Sequence, residues 1–259
     1  MHILLANGLS DTTGLADLLR HGGHGCDIAE PFTDAPLIAQ HSSAYDFILI
    51  QTGSVMRQAA AMVRDIRRRG VTTPILVLSP RIAAEEEQAV LESGADQVLA
   101  GPVLGSLLQA RMQAVLRRSL GHASPELRCG NVLLDQSRRT VTVDDRPVRI
   151  TCREFDVLEM LMLRPGVMLT KEYFMVRAYG LEEGPDQRIL DVFICKLRRK
   201  LAAAGSAEIV RTIWGRGYVL EEPNELELAA ARAHLAAAQP RPRRAHLLKN
   251  REPELAIAV

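Results

Sequence analysis

No apolar run in this 259-residue chain approaches the roughly 20 residues that a membrane span needs. The N-terminus, Met1-His2-Ile3-Leu4-Leu5-Ala6-Asn7-Gly8, lacks a basic leading segment and reads as a strand rather than a signal peptide. Cysteine is scarce. Cys26, Cys129, Cys152 and Cys195 make neither a C-x-x-C pair nor a zinc-spaced cluster with histidine. The expectation is reduced thiols in a cytoplasmic protein. A bias of charge is also lacking: the net charge is +1, which leaves DNA binding open because that needs clustered rather than abundant cations. There is no G-x-G-x-x-G after the first strand, no P-loop, no nucleophile elbow and no His/carboxylate constellation. The chain is therefore expected not to be an enzyme and to need no cofactor and no metal. His21-Gly22-Gly23-His24 has a weakly metal-like spacing but reads better as a flexible turn.

What is present is enough apolar residue, 47%, for two ordinary domains. In the first part, short apolar runs alternate with helical patterns. Strands are expected at His2–Ala6, Cys26–Ala29, Phe47–Ile50, Pro74–Ser79 and Gln97–Ala100. Helices are expected at Asp11–His21, Asp34–Gln40, Val55–Arg69, Ala83–Ser93 and Leu104–Ser119. Five strands, each followed by a helix, imply a doubly wound parallel sheet covered on both faces. Gly121-His122-Ala123-Ser124-Pro125 breaks the pattern and reads as a linker, set at 120–126 between a first domain, 1–119, and a second, 127–222.

In the second domain Asn131–Leu134, Thr140–Val143 and Val148–Ile150 read as a small antiparallel sheet. Three helices follow, the first opened by Thr151 with Glu154 at capping-box spacing, then Thr170–Gly180 and Asp186–Ala204. Ile209–Ile213 and Tyr218–Leu220 form a hairpin, so the domain is α+β. Residues 223–259 read as a mostly disordered tail, with room for an interaction helix over Leu226–Ala238 before Pro240 and Pro242.

The third helix of this domain has Leu190, Ile194, Leu197 and Leu201 on one stripe, which must face a core. Arg188, Lys196, Arg198, Arg199 and Lys200 lie off that stripe. A helix with an apolar back and a cationic front suits the major groove of B-DNA, although an ordinary solvated face reads the same way. The hairpin sequence Arg211-Thr212-Ile213-Trp214-Gly215-Arg216-Gly217-Tyr218 sets a cation between two glycines, and an exposed arginine on such a tip can enter a narrow minor groove.

The order sheet, three helices, hairpin resembles the winged helix-turn-helix output domain of OmpR/PhoB-type response regulators. The residues that carry the resemblance are Leu169-Thr170-Lys171-Glu172, Asp191-Val192-x-Ile194-x-x-Leu197-Arg198-x-Lys200-Leu201 and Gly215-x-Gly217-Tyr218. Within that family, Ile189–Arg198 and Trp214–Leu220 are most similar to the CtrA-type cell-cycle transcriptional regulators. The resemblance implies a sequence-specific double-stranded DNA-binding regulator of transcription. Arg188, Val192, Lys196, Arg198, Arg199 and Lys200 on the recognition helix, with Thr212, Trp214 and Arg216 of the wing and its flank, would be its DNA-binding residues. It also implies that the loop Leu181–Pro185 meets RNA polymerase and that the protein acts as a dimer.

The first domain resembles a flavodoxin-like receiver in its strand order and in Tyr45-Asp46-Phe47-Ile48-Leu49-Ile50, Pro74–Ser79 and Gly94-Ala95-Asp96. An aspartyl-phosphate site needs a carboxylate nucleophile, acidic residues around a Mg²⁺ ion and a cation near the phosphoryl oxygens. Where the family has those groups this chain has Asn7-Gly8, Gln51 and Gly101, and only the hydroxyl residue, Ser79, remains. The site is expected to be degenerate and the protein to act without phosphorylation. Asp46 should sit at the far end of the third strand, about 17 Å away by strand rise, and cannot substitute. The family's dimer face would span Ala83–Ser119, with Glu85, Glu86, Glu87, Arg111, Arg117 and Arg118 as candidate cross-pairs. The alternative reading is an interaction protein that heterodimerises with a related regulator and modulates it.

Overall fold

The computed structural model describes residues 1–9, 13–41, 45–53, 56–102, 105–179 and 187–238. In the N-terminal half, β1 (His2–Asn7), β2 (Gly25–Ile28), β3 (Phe47–Gln51), β4 (Ile75–Ser79) and β5 (Gln97–Ala100) form a parallel sheet in the order β2-β1-β3-β4-β5. Its helices are α1 (Thr13–His21), α2 (Ala35–His41), α3 (Met56–Arg68), α4 (Ala84–Glu92) and α5 (Gly105–Ser119). Side chains alternate across each strand. Phe47 and Leu49 therefore pack with α1 and α5, while Ile48 and Ile50 pack with α2, α3 and α4. Both faces are covered, which is why β3 is apolar over Phe47–Ile50 and β4 over Ile75–Leu78. The register pairs Asn7 with Gln51 and Ser79 with Ala100, so the strands' C-terminal ends converge on one edge.

The C-terminal half opens with β6 (Glu126–Cys129), β7 (Val132–Asp135), β8 (Thr140–Val143) and β9 (Arg146–Val148), an antiparallel sheet in that order. The expected linker thus gives way to a strand at Glu126. The last strand is earlier than expected because Asp144 and Asp145 both take positive φ, 45° and 61°, and close a two-residue hairpin. Pro147 is tolerated because β9 is an edge strand. α6 (Cys152–Met162), β10 (Leu169–Thr170), α7 (Lys171–Tyr179), α8 (Arg188–Ala203), β11 (Val210–Ile213) and β12 (Gly217–Leu220) follow, with a second sheet in the order β10-β12-β11. Leu127, Leu134 and Val141 of the first sheet, Phe155 and Leu158 of α6, Phe174 of α7 and the α8 stripe share one core. The capping box at Thr151 is made in both directions. Glu154 N–H donates to Thr151 Oγ1 at 3.3 Å, and Thr151 N–H donates to Glu154 Oε2 at 2.7 Å.

The described part of the tail is helical over the stretch where a helix had room to form. Glu225–Ala238 is a helix, α9, folded back on the second domain; residues 239–259 lie outside the described residues. Asn224 and Glu227 cap its start reciprocally, each at 2.9 Å. Glu227 pairs with Arg211 and Arg232 with Asp144. A helix of this length is marginal alone, so the cap and the two anchors explain why an Ala/Leu-rich segment is ordered here.

The two halves meet at Asp46, which immediately precedes β3 and is 4% exposed. Its carboxylate accepts from His2 N–H at 2.9 Å, from Arg164 Nη2 at 2.7 Å and from Arg177 Nε at 2.9 Å. Arg177 lies on α7, itself buried, with its guanidinium 3.2 Å from the centre of the Tyr173 ring. Burial alone would raise the Asp46 pKa. Arg177, the N-terminal ammonium, Arg164 and the His2 amide outweigh it and hold the carboxyl below its ordinary range.

Candidate nucleic-acid interface

α8 presents the expected two faces. Leu190, Ile194, Leu197 and Leu201 are buried. Arg188, Val192, Cys195, Lys196 and Arg199 are exposed on the other side. Val192 is 47% exposed, an apolar side chain left among cations at the helix surface. The wing is the β11–β12 hairpin. Arg216 N–H donates to Ile213 O at 3.0 Å, Gly215 takes φ +71°, and Trp214 at the tip is 90% exposed. Arg216 is exposed beside it.

The wing is fixed to the helices by two devices. Gly217 lies against β10 so closely that any Cβ would overlap the Leu169 carbonyl, so only glycine fits. Asp191, in the first turn of α8, accepts from Tyr218 Oη at 2.6 Å and from Lys171 Nζ at 2.7 Å. One carboxylate thereby joins the start of α7, the start of α8 and the wing. The hydrogen bonds from Lys171 and Tyr218 keep the Asp191 pKa low. Asp191 was legible only as part of a motif; its role as a tie depends on partners 20 and 27 residues away.

Arg198, Thr212 and Lys200, all expected at DNA, also make contacts within the domain. Arg198 donates through Nε and Nη2 to Val210 O at 3.0 and 2.7 Å, and through Nη2 to Thr212 Oγ1 at 2.8 Å. Its planar fork matches the carbonyl at the start of β11, so Arg198 and Thr212 hold the wing to α8. Lys200 turns to α6, where its Nζ lies 2.6 Å from Glu154 Oε2. Glu154 is 1% exposed, and a buried carboxylate needs a cation. The helical pattern shows that Arg198 and Lys200 lie off the apolar stripe but not which neighbour each reaches. Arg188, Val192, Lys196, Arg199, Trp214 and Arg216 are exposed. The expected polymerase loop, Leu181–Pro185, lies outside the described residues.

Asn7, Gln51 and Ser79 end β1, β3 and β4 at the C-terminal edge of the first sheet, and Gly101 follows β5. Asn7 Oδ1 accepts from Leu9 N–H at 2.9 Å, and Gly8 N–H donates to Gln51 O at 2.8 Å. Ser79 is buried, with its hydroxyl 2.6 Å from Arg81 O and 3.2 Å from Gly53 O. Gly101 takes φ +82°. Of the candidate cross-pair residues, Glu86 accepts from the Ala83 N–H that precedes α4, and Arg117 reaches Gln136 of the second domain. His21 bonds Asp17 O, while burial and the nearby N-terminal ammonium push His24 down to about 3. Among the described residues no group of three or more His, Cys, Asp or Glu could hold a metal ion, and no helix is long and apolar enough to cross a membrane. The four cysteines are free, Cys26 and Cys129 buried, Cys152 and Cys195 exposed.

Residues 145–220 match a family profile described as the C-terminal domain of transcriptional regulatory proteins. The chain is 41% identical over 181 residues to the cell cycle response regulator CtrA of Brucella anthropi, covering 70% of this chain and 78% of that protein. It is 38% identical over 187 residues to the cell cycle transcriptional regulator CtrA of Caulobacter vibrioides, covering 72% and 81%. Among solved structures it is similar to the response regulator DrrB of Thermotoga maritima, an OmpR/PhoB homologue. That likeness has 18% identity and a TM-score of 0.38 and covers 85% of this chain and 98% of that one.

Proposed function

The chain belongs to the DNA-binding response regulators of the OmpR/PhoB type, close to the CtrA regulators, and from that premise we propose that it binds specific double-stranded DNA and regulates transcription without aspartyl phosphorylation. The observation that carries the DNA reading is the exposed surface of Val192, Lys196 and Arg199 beside the Trp214–Arg216 tip, held in one frame by Asp191 and Gly217. α8 enters the major groove and Arg216 the adjacent minor groove. Phosphorylation independence is supported by Gln51, an uncharged amide and a poor nucleophile, facing Asn7 across the strand pair where the chemistry needs carboxylates. The protein works in the cytoplasm as a dimer through the face formed by α4, β5 and α5, and it meets RNA polymerase through 181–185.

The test is a titration of the unphosphorylated full chain against genomic fragments at two salt concentrations. Tight, fragment-selective binding with a steep salt slope is expected. Weak and unselective binding would reject the reading in favour of a modulator that pairs with a related regulator. Replacing Arg199 with alanine should lower the salt slope by ~0.9, the release of one phosphate contact. Arg198→Ala should leave the slope unchanged and destabilise the second domain by about 1–2 kcal/mol, since Val210 O loses its donors. Chemical denaturation and the two-salt titration separate these outcomes.

A further inference from the structure

Between α1 and α5, above the converging strand ends, lies a cavity of about 350 Å³. Its walls are Leu15 and Leu18 of α1, Leu78 at the end of β4, Pro80, Pro102, and Leu108 of α5. Gln51, Ser79 and Gly101 complete it, and among the described residues that line it none is charged. A phosphoryl pocket requires the opposite composition: carboxylates for a metal ion and a cation for the oxygens. The volume falls at the small end of the range for organic ligands, and a mostly apolar wall with one or two placed polar groups is the usual make-up of such sites.

The polar groups of the edge are not equivalent. Asn7 and Ser79 hydrogen-bond to their own loops. Gln51 Oε1 is buried and accepts no hydrogen bond among the described residues. A buried carbonyl oxygen in that state is a vacant acceptor, and because Gln51 lines the cavity, a turn of its amide side chain brings that oxygen to a donor held there. At the rim, a Cβ on Gly101 would meet nothing within 4 Å, so the position expected to hold a lysine leaves open space instead. Leu18 is 41% exposed at the wall, an apolar surface left open there.

We propose that this cavity binds a small, uncharged, mostly apolar molecule that donates one hydrogen bond to Gln51 Oε1. The inference rests on the reading that this edge takes no phosphoryl group. Charge exclusion follows from the wall, because an ion would be desolvated there with no counter-charge. The bound molecule would bridge α1, β3, β4 and α5, and α5 lies in the face through which the protein is proposed to dimerise.

The experiment titrates the full chain with 2-naphthol, with its donor-blocked analogue 2-methoxynaphthalene, and with 2-naphthoate, followed by the probes' fluorescence. Saturable 1:1 binding of 2-naphthol is expected, with 2-methoxynaphthalene about tenfold weaker for the lost hydrogen bond and 2-naphthoate not bound. Gln51→Leu should abolish the preference for naphthol over its methyl ether. Leu15→Arg, on the partly exposed wall, should abolish binding of both while leaving the circular dichroism spectrum unchanged. No saturable binding of 2-naphthol, or a preference that survives Gln51→Leu, overturns the proposal. A parallel incubation with radiolabelled acetyl phosphate and Mg²⁺ separates the two readings. Stable label on the first domain would reject phosphorylation independence, whereas failure of 2-naphthol alone rejects only the cavity.

Discussion

Asp46→Ala should cost the protein about 3–5 kcal/mol and separate its two domains. The expected loss is large because the substitution leaves Arg177 buried with its charge uncompensated, the situation in which breaking a buried pair is most destabilising. The cost belongs to the broken state, not to the pair. Asp46→Leu combined with Arg177→Met should therefore recover most of the loss. Urea unfolding of the full chain should show one shared transition dividing into two, and small-angle scattering should report a larger radius. If Asp46→Ala unfolds at the parental midpoint, the contact contributes nothing. The dependence on pH has a definite sign. The Asp46 carboxyl titrates below its ordinary range when folded and near 3.9 when unfolded. Its contribution is thus complete at pH above that unfolded value and is lost as the pH falls toward the folded one. Domain coupling should persist without change from about pH 7 to about pH 5 and, on the acid side, fail only in stronger acid.

Gly217→Ala should disable the wing. A methyl group there would overlap the Leu169 carbonyl and sit 2.9 Å from Thr170 Cα, both backbone atoms that cannot rotate away. The two-residue pairing of β10 with β12 must open, and Tyr218 then loses its hold on Asp191. Overpacking of this kind costs about 2–3 kcal/mol, equal to a fall of roughly 10–20 °C in the melting temperature of a domain this size. DNA affinity should fall in parallel, because the Trp214–Arg216 tip is no longer placed relative to α8. Gly215→Ala is the control. Nothing lies within 4 Å of its Cβ, and only the positive φ opposes it, for about 1–2 kcal/mol. Equal losses in the two variants would show that steric closeness to β10 is not what fixes the wing.

The elements that depend on local pattern were readable from the residues alone. The uninterrupted apolar runs at Phe47–Ile50 and Ile75–Leu78 announced strands covered on both faces, and the four-residue stripe of α8 announced its buried side. The Thr151–Glu154 spacing announced a cap that is present. What pattern could not supply was the partner of each charge. Arg198 and Arg199 are neighbours in sequence, yet one clamps β11 and the other is exposed, a difference set by a carbonyl 12 residues on. Lys200 has a similar history, since its carboxylate lies 46 residues back. Asp46 read as an incidental strand-end acid because its arginines lie 118 and 131 residues away. The shift of β9 arose from two aspartates in left-handed conformation, a state that their sequence permits without requiring. α9 was half visible: its composition favours helix, but the docking that stabilises it runs through Arg211 and Asp144, outside the segment.

β3 is five residues long, and its two ends have different employers. At one end Gln51 faces the cavity; just beyond the other, Asp46 holds the second domain. Between them Phe47, Ile48, Leu49 and Ile50 are wholly buried, in an interior that is close-packed and hardly compressible. The strand therefore behaves as a strut. A shift along its axis at Gln51 should be felt at Asp46, whose carboxylate holds Arg177 of α7.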